Sequence, residues 1–160
     1  MSERAVITIR AADRPSDIET VRALFVEYAR SLQFSLCFQN FEQELATLPG
    51  AYAAPKGHIL LAESDGRALG VVALRPFDDR SCEMKRLYVR PEARGRGLGE
   101  RLARAMMAEG ARIGYATIRL DTHESMLEAI GLYRALGFRE IASHGAPAAP
   151  GLHYYARRLD

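Results

Sequence analysis

The order of patterned segments predicts an α+β fold, a mixed sheet of about seven strands with helices on both faces. Three observations carry this expectation. Three β-like segments follow one another between His58 and Arg90 with only short turns between them, as in an antiparallel meander. A strand–helix–strand unit then spans Ser81 to Thr122, and its two strands need a helical crossover to lie parallel. A second helix and a final pair of strands close the chain. The 160 residues suit one domain over 1–160, with enough length to bury a core.

Taken in order, "AVITIRAA" (Ala5–Ala12) alternates and is rich in β-branched residues, which predicts a first strand stopped by Asp13 and Pro15. Ile18, Val21, Leu24, Phe25 and Tyr28 recur at helical spacing, with Ser16 placed to cap them. A second helix is predicted over Phe38–Leu48, ending before Pro49-Gly50. "HILLAES" and "ALGVVALRPF" read as strands joined by Asp65-Gly66, a strong hairpin signal. "SCEMKRLYVR" (Ser81–Arg90) is the third strand of the meander, closed by Pro91. Leu98, Leu102, Ala105, Met106 and Ile113 mark an amphipathic helix ending near Gly114. "ATIRLDT" is a strand, and "ESMLEAIGLYRALGF" a helix with Gly137 as its C-cap. "FREIAS" and "GLHYYARRL" are the last strands, separated by "HGAPAAPG".

Composition narrows the function classes. The chain is 48% hydrophobic and 26% charged, with 22 basic and 20 acidic side chains and a net charge of +2. That balance points away from nucleic acid, whose binders carry a strong basic excess. No apolar run is long enough for a membrane span, and the N-terminal segment has no signal-like apolar core. With only Cys37 and Cys82, a reducing, cytoplasmic setting is expected. His58, His123, His144 and His153 show no ligand spacing, so no metal is expected.

Between the third meander strand and the next helix lies "RPEARGRGLGERL", with glycines at 95, 97 and 99 among arginines. A dinucleotide fingerprint would require glycine at position 100, where Glu100 stands, and no Gly-Lys-Ser/Thr follows for a phosphate-binding P-loop. Arg94-Gly95-Arg96-Gly97-Leu98-Gly99 does fit R/Q-x-x-G-x-G/A, and "LYRALGF" (Leu132–Phe138) lies downstream. These two motifs, and the order of elements around them, resemble the GNAT acetyltransferase superfamily over most of the chain. The physics of the turn agrees. A helix N-terminus presents unpaired N–H groups and partial positive charge to phosphate. Glycine admits close approach and positive φ, and arginine forks suit phosphate oxygens.

The resemblance implies the acyl-CoA N-acyltransferase fold and acetyl-CoA as co-substrate. It implies that Arg94, Gly95, Arg96, Gly97, Leu98 and Gly99 hold the diphosphate. It also implies that the strand matching Cys82–Val89 splays from its neighbour after a bulge, so that the backbone of Leu87 and Val89, with Tyr88 between them, pairs with the pantetheine arm. Tyr133 matches the tyrosine near the thioester sulfur and is the candidate acid. Glu83 matches a catalytic glutamate of several members and is the candidate base, with Asp121 as fallback. The other reading of Glu83 is a carboxylate paired with Lys85 or Arg86. Where many members carry an asparagine, this chain has Met126, leaving Ser125 as the adjacent polar group for the cofactor.

The chemistry needs such groups. An alkyl ammonium with pKa ~10.4 is neutral about once in 2,500 molecules at pH 7, a handicap of roughly 4.6 kcal/mol. A base that removes the proton, and a hydroxyl that protonates the departing thiolate, both help. Cys82 lies on an apolar strand with no adjacent base, which argues against a covalent acyl-cysteine. The expected acceptor is a primary amine of a small, amino-acid-like molecule attacking directly in a ternary complex. The alternatives are a non-catalytic acyl-CoA-binding module and a protein lysine or N-terminal acetyltransferase. Phe34, Phe38 and Phe41 either pack or cover the acceptor, and the terminal hairpin offers an edge through which a homodimer could form.

Overall fold

The computed structural model describes residues 6–32, 35–36, 40–142 and 150–159. One seven-stranded sheet runs through it: β1 (Thr8–Ala11), β2 (His58–Ser64), β3 (Arg67–Pro76), β4 (Ser81–Val89), β5 (Thr117–His123), β6 (Arg139–Ile141) and β7 (Leu152–Arg158). The spatial order is β1-β2-β3-β4-β5-β7-β6. All neighbours are antiparallel except β4 and β5, which are parallel. The helix between those two, α3 (Leu98–Ile113), supplies the crossover that a parallel pair needs.

Strand alternation divides the core in two. Leu60, Ala62, Val72, Leu74, Cys82 and Met84 point to the face covered by α3 and α4 (Leu127–Ala135). Ile59, Leu61, Val71, Ala73 and Tyr88 point to the face covered by α1 (Asp17–Ser31) and α2 (Phe41–Ala46). Leu102 and Met106 on α3, and Val21, Leu24 and Phe25 on α1, are fully buried. Each such side chain stabilises the fold by roughly 1.5–3 kcal/mol relative to exposure.

Several boundaries differ from the sequence expectations. Ser16 precedes α1 but makes no side-chain cap. The Asp17 carboxylate instead ties the chain that enters the helix: it accepts from the Arg14 amide at 3.0 Å and from the Arg10 guanidinium at 2.8 Å twice. In the described residues the second helix begins at Phe41, after Asn40 in a left-handed conformation (φ 55°), and ends at Ala46, short of Leu48. Phe34, Phe38, Cys37, His144 and most of "HGAPAAPG" lie outside the described residues. The helix expected from Glu124 begins at Leu127, because the Ser125 amide donates to the His123 ring and the Met126 amide to the His123 carbonyl. Its end is as expected. Gly137 has φ 92°, and the Phe138 amide reaches back to the Tyr133 carbonyl at 3.0 Å.

The Arg10–Asp17 pair carries a pH prediction. Hydrogen bonds from Arg10 hold the buried Asp17 carboxyl at about 2, below its ordinary 3.8. A depressed carboxylate stabilises the fold above its unfolded pKa and loses that contribution as pH falls through the folded value. Asp17→Asn should cost about 2 kcal/mol at neutral pH. It should also flatten the stability curve between about pH 4 and 2, as read by urea unfolding at a series of pH values.

Candidate active site

The meander places β4 at the centre of the sheet, and two features open its far half. Opposite β3, Tyr88 pairs with Val71 and Lys85 with Ala73, so Arg86 and Leu87 together face Val72. This is a bulge. Arg86 occupies it at φ 63°, a left-handed backbone at a residue with a side chain. Opposite β5, pairing stops at Glu83–Arg119. The strands diverge beyond that point, leaving the β5-facing edge of Leu87–Val89 without a ladder partner.

Arg86 is held in the bulge from across the fold. Its guanidinium is almost completely buried and donates to Glu44 on α2 at 2.9 and 3.0 Å, with the Phe41 ring 5.2 Å away. At the end of β4, Arg90 grips Glu27 on α1 at 2.6 and 3.0 Å. Two ion pairs thus tie the splayed strand to the helices beneath it.

A cleft of about 700 Å³ occupies the opened edge. That lies within the roughly 300–1,000 Å³ of clefts that take sizeable ligands. Leu87, Tyr88 and Val89 form one wall. Arg94, Gly95, Gly97, Leu98 and Gly99 form the floor at the start of α3, and Ser125 lies on the rim. Gly95 and Gly97 adopt φ 79° and 72°. Gly97 is the N-cap of α3 and contributes no side-chain cap. The first-turn N–H groups therefore stay available to an anion. Arg94 donates from Nε to the Val89 carbonyl at 3.0 Å. Arg96 is exposed and stands outside the cleft lining.

Where β4 and β5 part, a smaller cavity of about 20 Å³ is lined by side chains from both faces of the sheet, Tyr28 of α1 and Tyr133 of α4 among them. Tyr133 is 7% exposed, with its ring edge-on to Phe138. Burial, with smaller contributions from Tyr28 and Asp121, raises its phenol above the ordinary value, so it stays a protonated donor at neutral pH. Met126 lines both spaces, and its sulfur sits 3.7 Å from the Thr122 hydroxyl. Asp121 lines the small cavity; Glu83 lines neither space. The Glu83 carboxylate is engaged by Arg75 at 2.7 and 2.8 Å, rather than by Lys85 or Arg86. Cys82 is fully buried on the α3 face, and burial pushes its thiol up to about 12, leaving no thiolate for acyl transfer.

Several lining residues carry no sequence signal for a site. Tyr28 on α1 and Leu32 just past its end share the apolar spacing of core residues, and helical periodicity does not separate core from cleft wall. Leu127, 75% exposed at the start of α4, lines the cleft with apolar surface. Lys85 reads as an ordinary polar strand position and is in fact buried.

The model for the acetyltransferase (GNAT) family matches residues 19–138, from α1 to the end of "LYRALGF". The chain belongs to the GNAT acetyltransferase family. An uncharacterised N-acetyltransferase of Schizosaccharomyces pombe is 37% identical over 156 residues, 96% of each chain. A GNAT-family acetyltransferase structure from Staphylococcus aureus superposes with a TM-score of 0.81 at 19% identity, covering 97% of this chain and 100% of that one. A Salmonella typhimurium acetyltransferase-like structure, solved with acetyl-CoA, has a TM-score of 0.70 at 20% identity over 98% of this chain and 95% of its own. The protein is an acetyltransferase with the family's mixed seven-stranded fold. Among the described residues no helix is long and apolar enough to cross a membrane.

Proposed function

We propose that the protein transfers an acetyl group from acetyl-CoA to a primary amine of a small, amino-acid-like acceptor, by direct attack in a ternary complex. The observation that carries this reading is the single cleft joining an uncapped helix N-terminus to an unpaired strand edge. The diphosphate lies on the amides of Gly95–Gly99, with Arg94 supplying charge and Arg96 a more distant cation. The pantetheine arm runs along Leu87–Val89 as an added strand, with Tyr88 and Ser125 beside it. Occupancy of that edge would release the Val89 carbonyl from Arg94 and free its guanidinium for phosphate. The thioester then reaches Tyr133, whose hydroxyl donates to the departing sulfur.

The cavity of about 20 Å³ at Tyr133, lined also by Tyr28, Asp121 and Met126, has room for the reacting amino group or one water, and the body of the acceptor lies outside it. Asp121 contributes negative charge beside the small cavity. Measuring CoA release with a panel of amines, amino acids and peptides tests the whole reading. Tyr133→Phe should lower kcat by about 100-fold with acetyl-CoA affinity unchanged. Binding of acetyl-CoA without CoA release for any amine would favour a regulatory acyl-CoA-binding module. Turnover of peptides in preference to small amines would favour a protein acetyltransferase.

A further inference from the structure

We propose that the side-chain amine of Lys85, set beside Asp121 where β4 and β5 part, takes the proton from the acceptor's ammonium group. The inference rests on the acetyltransferase reading and assigns its missing proton acceptor.

Placement comes first. Lys85 lies just past the last residue of β4 that pairs with β5, on the sheet face covered by α1 and α2. Its side chain is 3% exposed, and its nitrogen stands 3.6 Å from the Asp121 carboxylate. Lys85 lines the small cavity together with Tyr133. Tyr28, Leu87 and Met126 line both that cavity and the large cleft, so the two spaces adjoin. An amine arriving at the thioester meets Lys85 and Tyr133 in one place. A volume of about 20 Å³ also suits one bridging water.

Charge comes second. Burial lowers the lysine's pKa; Asp121 and Glu83 oppose this, and Arg86 and Arg75 add to it. Glu83 is engaged by Arg75, and Arg86 by Glu44 of α2. From the remaining elements around this cavity, on both faces of the sheet, come the phenols of Tyr28 on α1, Tyr133 on α4 and Tyr154 on β7, and Arg119 of β5 stacked 4.0 Å over Phe77. A neutral amine in this setting accepts a proton and becomes an ammonium directly beside Asp121, which stabilises the charge as it forms. The carboxylate of Glu83, outside the cavity and held by arginine, has no comparable access.

The step balances without a further reactant. The acceptor ammonium gives one proton to the Lys85 nitrogen. The freed lone pair forms the N–C bond at the thioester carbon, and the C–S bond breaks with its electrons on sulfur. The Tyr133 hydroxyl gives its proton to the thiolate and takes the second nitrogen proton. Lys85 returns its own to solvent as the products leave.

The chain has only two lysines, Lys56 and Lys85, and Lys56 is exposed. Protein labelled with 13Cε-lysine therefore gives two resonances, one an internal reference. We expect Lys85 to titrate well below the ordinary lysine value of ~10.4. Lys85→Arg, which places a permanent cation beside Asp121 and cannot accept a proton, should lower kcat about 100-fold. It should also remove the acid limb of the kcat profile and leave acetyl-CoA affinity unchanged. Lys85 titrating at or above that ordinary value in the wild-type protein overturns the assignment, whatever the variant's folding. So does a Lys85→Arg enzyme that keeps its kcat and acid limb. If no amine releases CoA, the assignment falls together with the acetyltransferase reading; if CoA is released, these results bear on Lys85 alone.

Discussion

Replacing Gly97 with valine should weaken acetyl-CoA binding by about 100-fold while the protein stays folded. Gly97 holds φ 72°, ψ 17° at the N-cap of α3. A residue with a Cβ pays roughly 1–2 kcal/mol there, and a β-branched one is a genuine outlier. A Cβ built at this position meets nothing within 4 Å, so the protein itself does not exclude a side chain. The backbone is what resists, and a valine relieves the strain by turning the first-turn amides of α3 away from the cleft. Hydrogen bonds to a charged group are worth about 1.5–3 kcal/mol each, so losing one or two reaches 100-fold. Gly97→Asn separates the two uses of glycine. Asparagine tolerates the left-handed conformation, so its melting temperature should stay close to that of the wild type. Its side chain still intrudes on a ligand pressed against the turn, so affinity should fall. Calorimetry with acetyl-CoA reads both variants, and unchanged affinity in both would remove the diphosphate from this turn.

The glycine turn was legible because its signal is local. Two positive-φ residues followed at once by an amphipathic helix can be read without knowing the rest of the fold. The strand β2 was legible for a similar reason: a short apolar run ends at Asp65-Gly66, and the observed strand covers the expected residues. The bulge was not legible from the residues themselves. Arginine has no preference for positive φ, and what holds Arg86 there is Glu44, 42 positions away in sequence. The family resemblance anticipated a bulge without locating it. A helix start failed where one side chain competes with the helix, as His123 does before α4. Lys85 was hidden by alternation. A polar residue on a strand ordinarily faces water, yet here α1 and α2 cover that face. Glu83 and Lys85 are neighbours on it, but Arg75 of the adjoining strand takes Glu83 and leaves Lys85 to Asp121. Cross-strand partners depend on register, and composition does not encode register.

Arg86→Met should be the most destabilising single change, at about 3–5 kcal/mol. The substitution keeps most of the aliphatic stem but leaves Glu44, 11% exposed, as an uncompensated carboxylate beneath β4. For a chain of this size the melting temperature should fall by about 10 °C. Adding Glu44→Leu should restore most of the loss, because removing both charges of a buried pair costs far less than removing one. The double variant then exposes a functional role. With stability recovered, nothing fastens the bulge to α2, and the left-handed backbone at position 86 is free to relax toward a regular ladder with β3. Such a relaxation would shift by one residue the strand edge proposed to receive the pantetheine arm. The double variant should therefore melt near the wild type yet bind acetyl-CoA at least about 10-fold more weakly, a loss of roughly 1.4 kcal/mol. Arg86→Gly gives the complementary result. It relieves the positive-φ strain by about 1 kcal/mol but still strands Glu44, so it should remain well below the wild type in stability. If Arg86→Met alone melts like the wild type, the pair does not anchor the bulge. If the stable double variant binds acetyl-CoA normally, the bulge is held by its own strand, and α2 has no part in shaping the cleft.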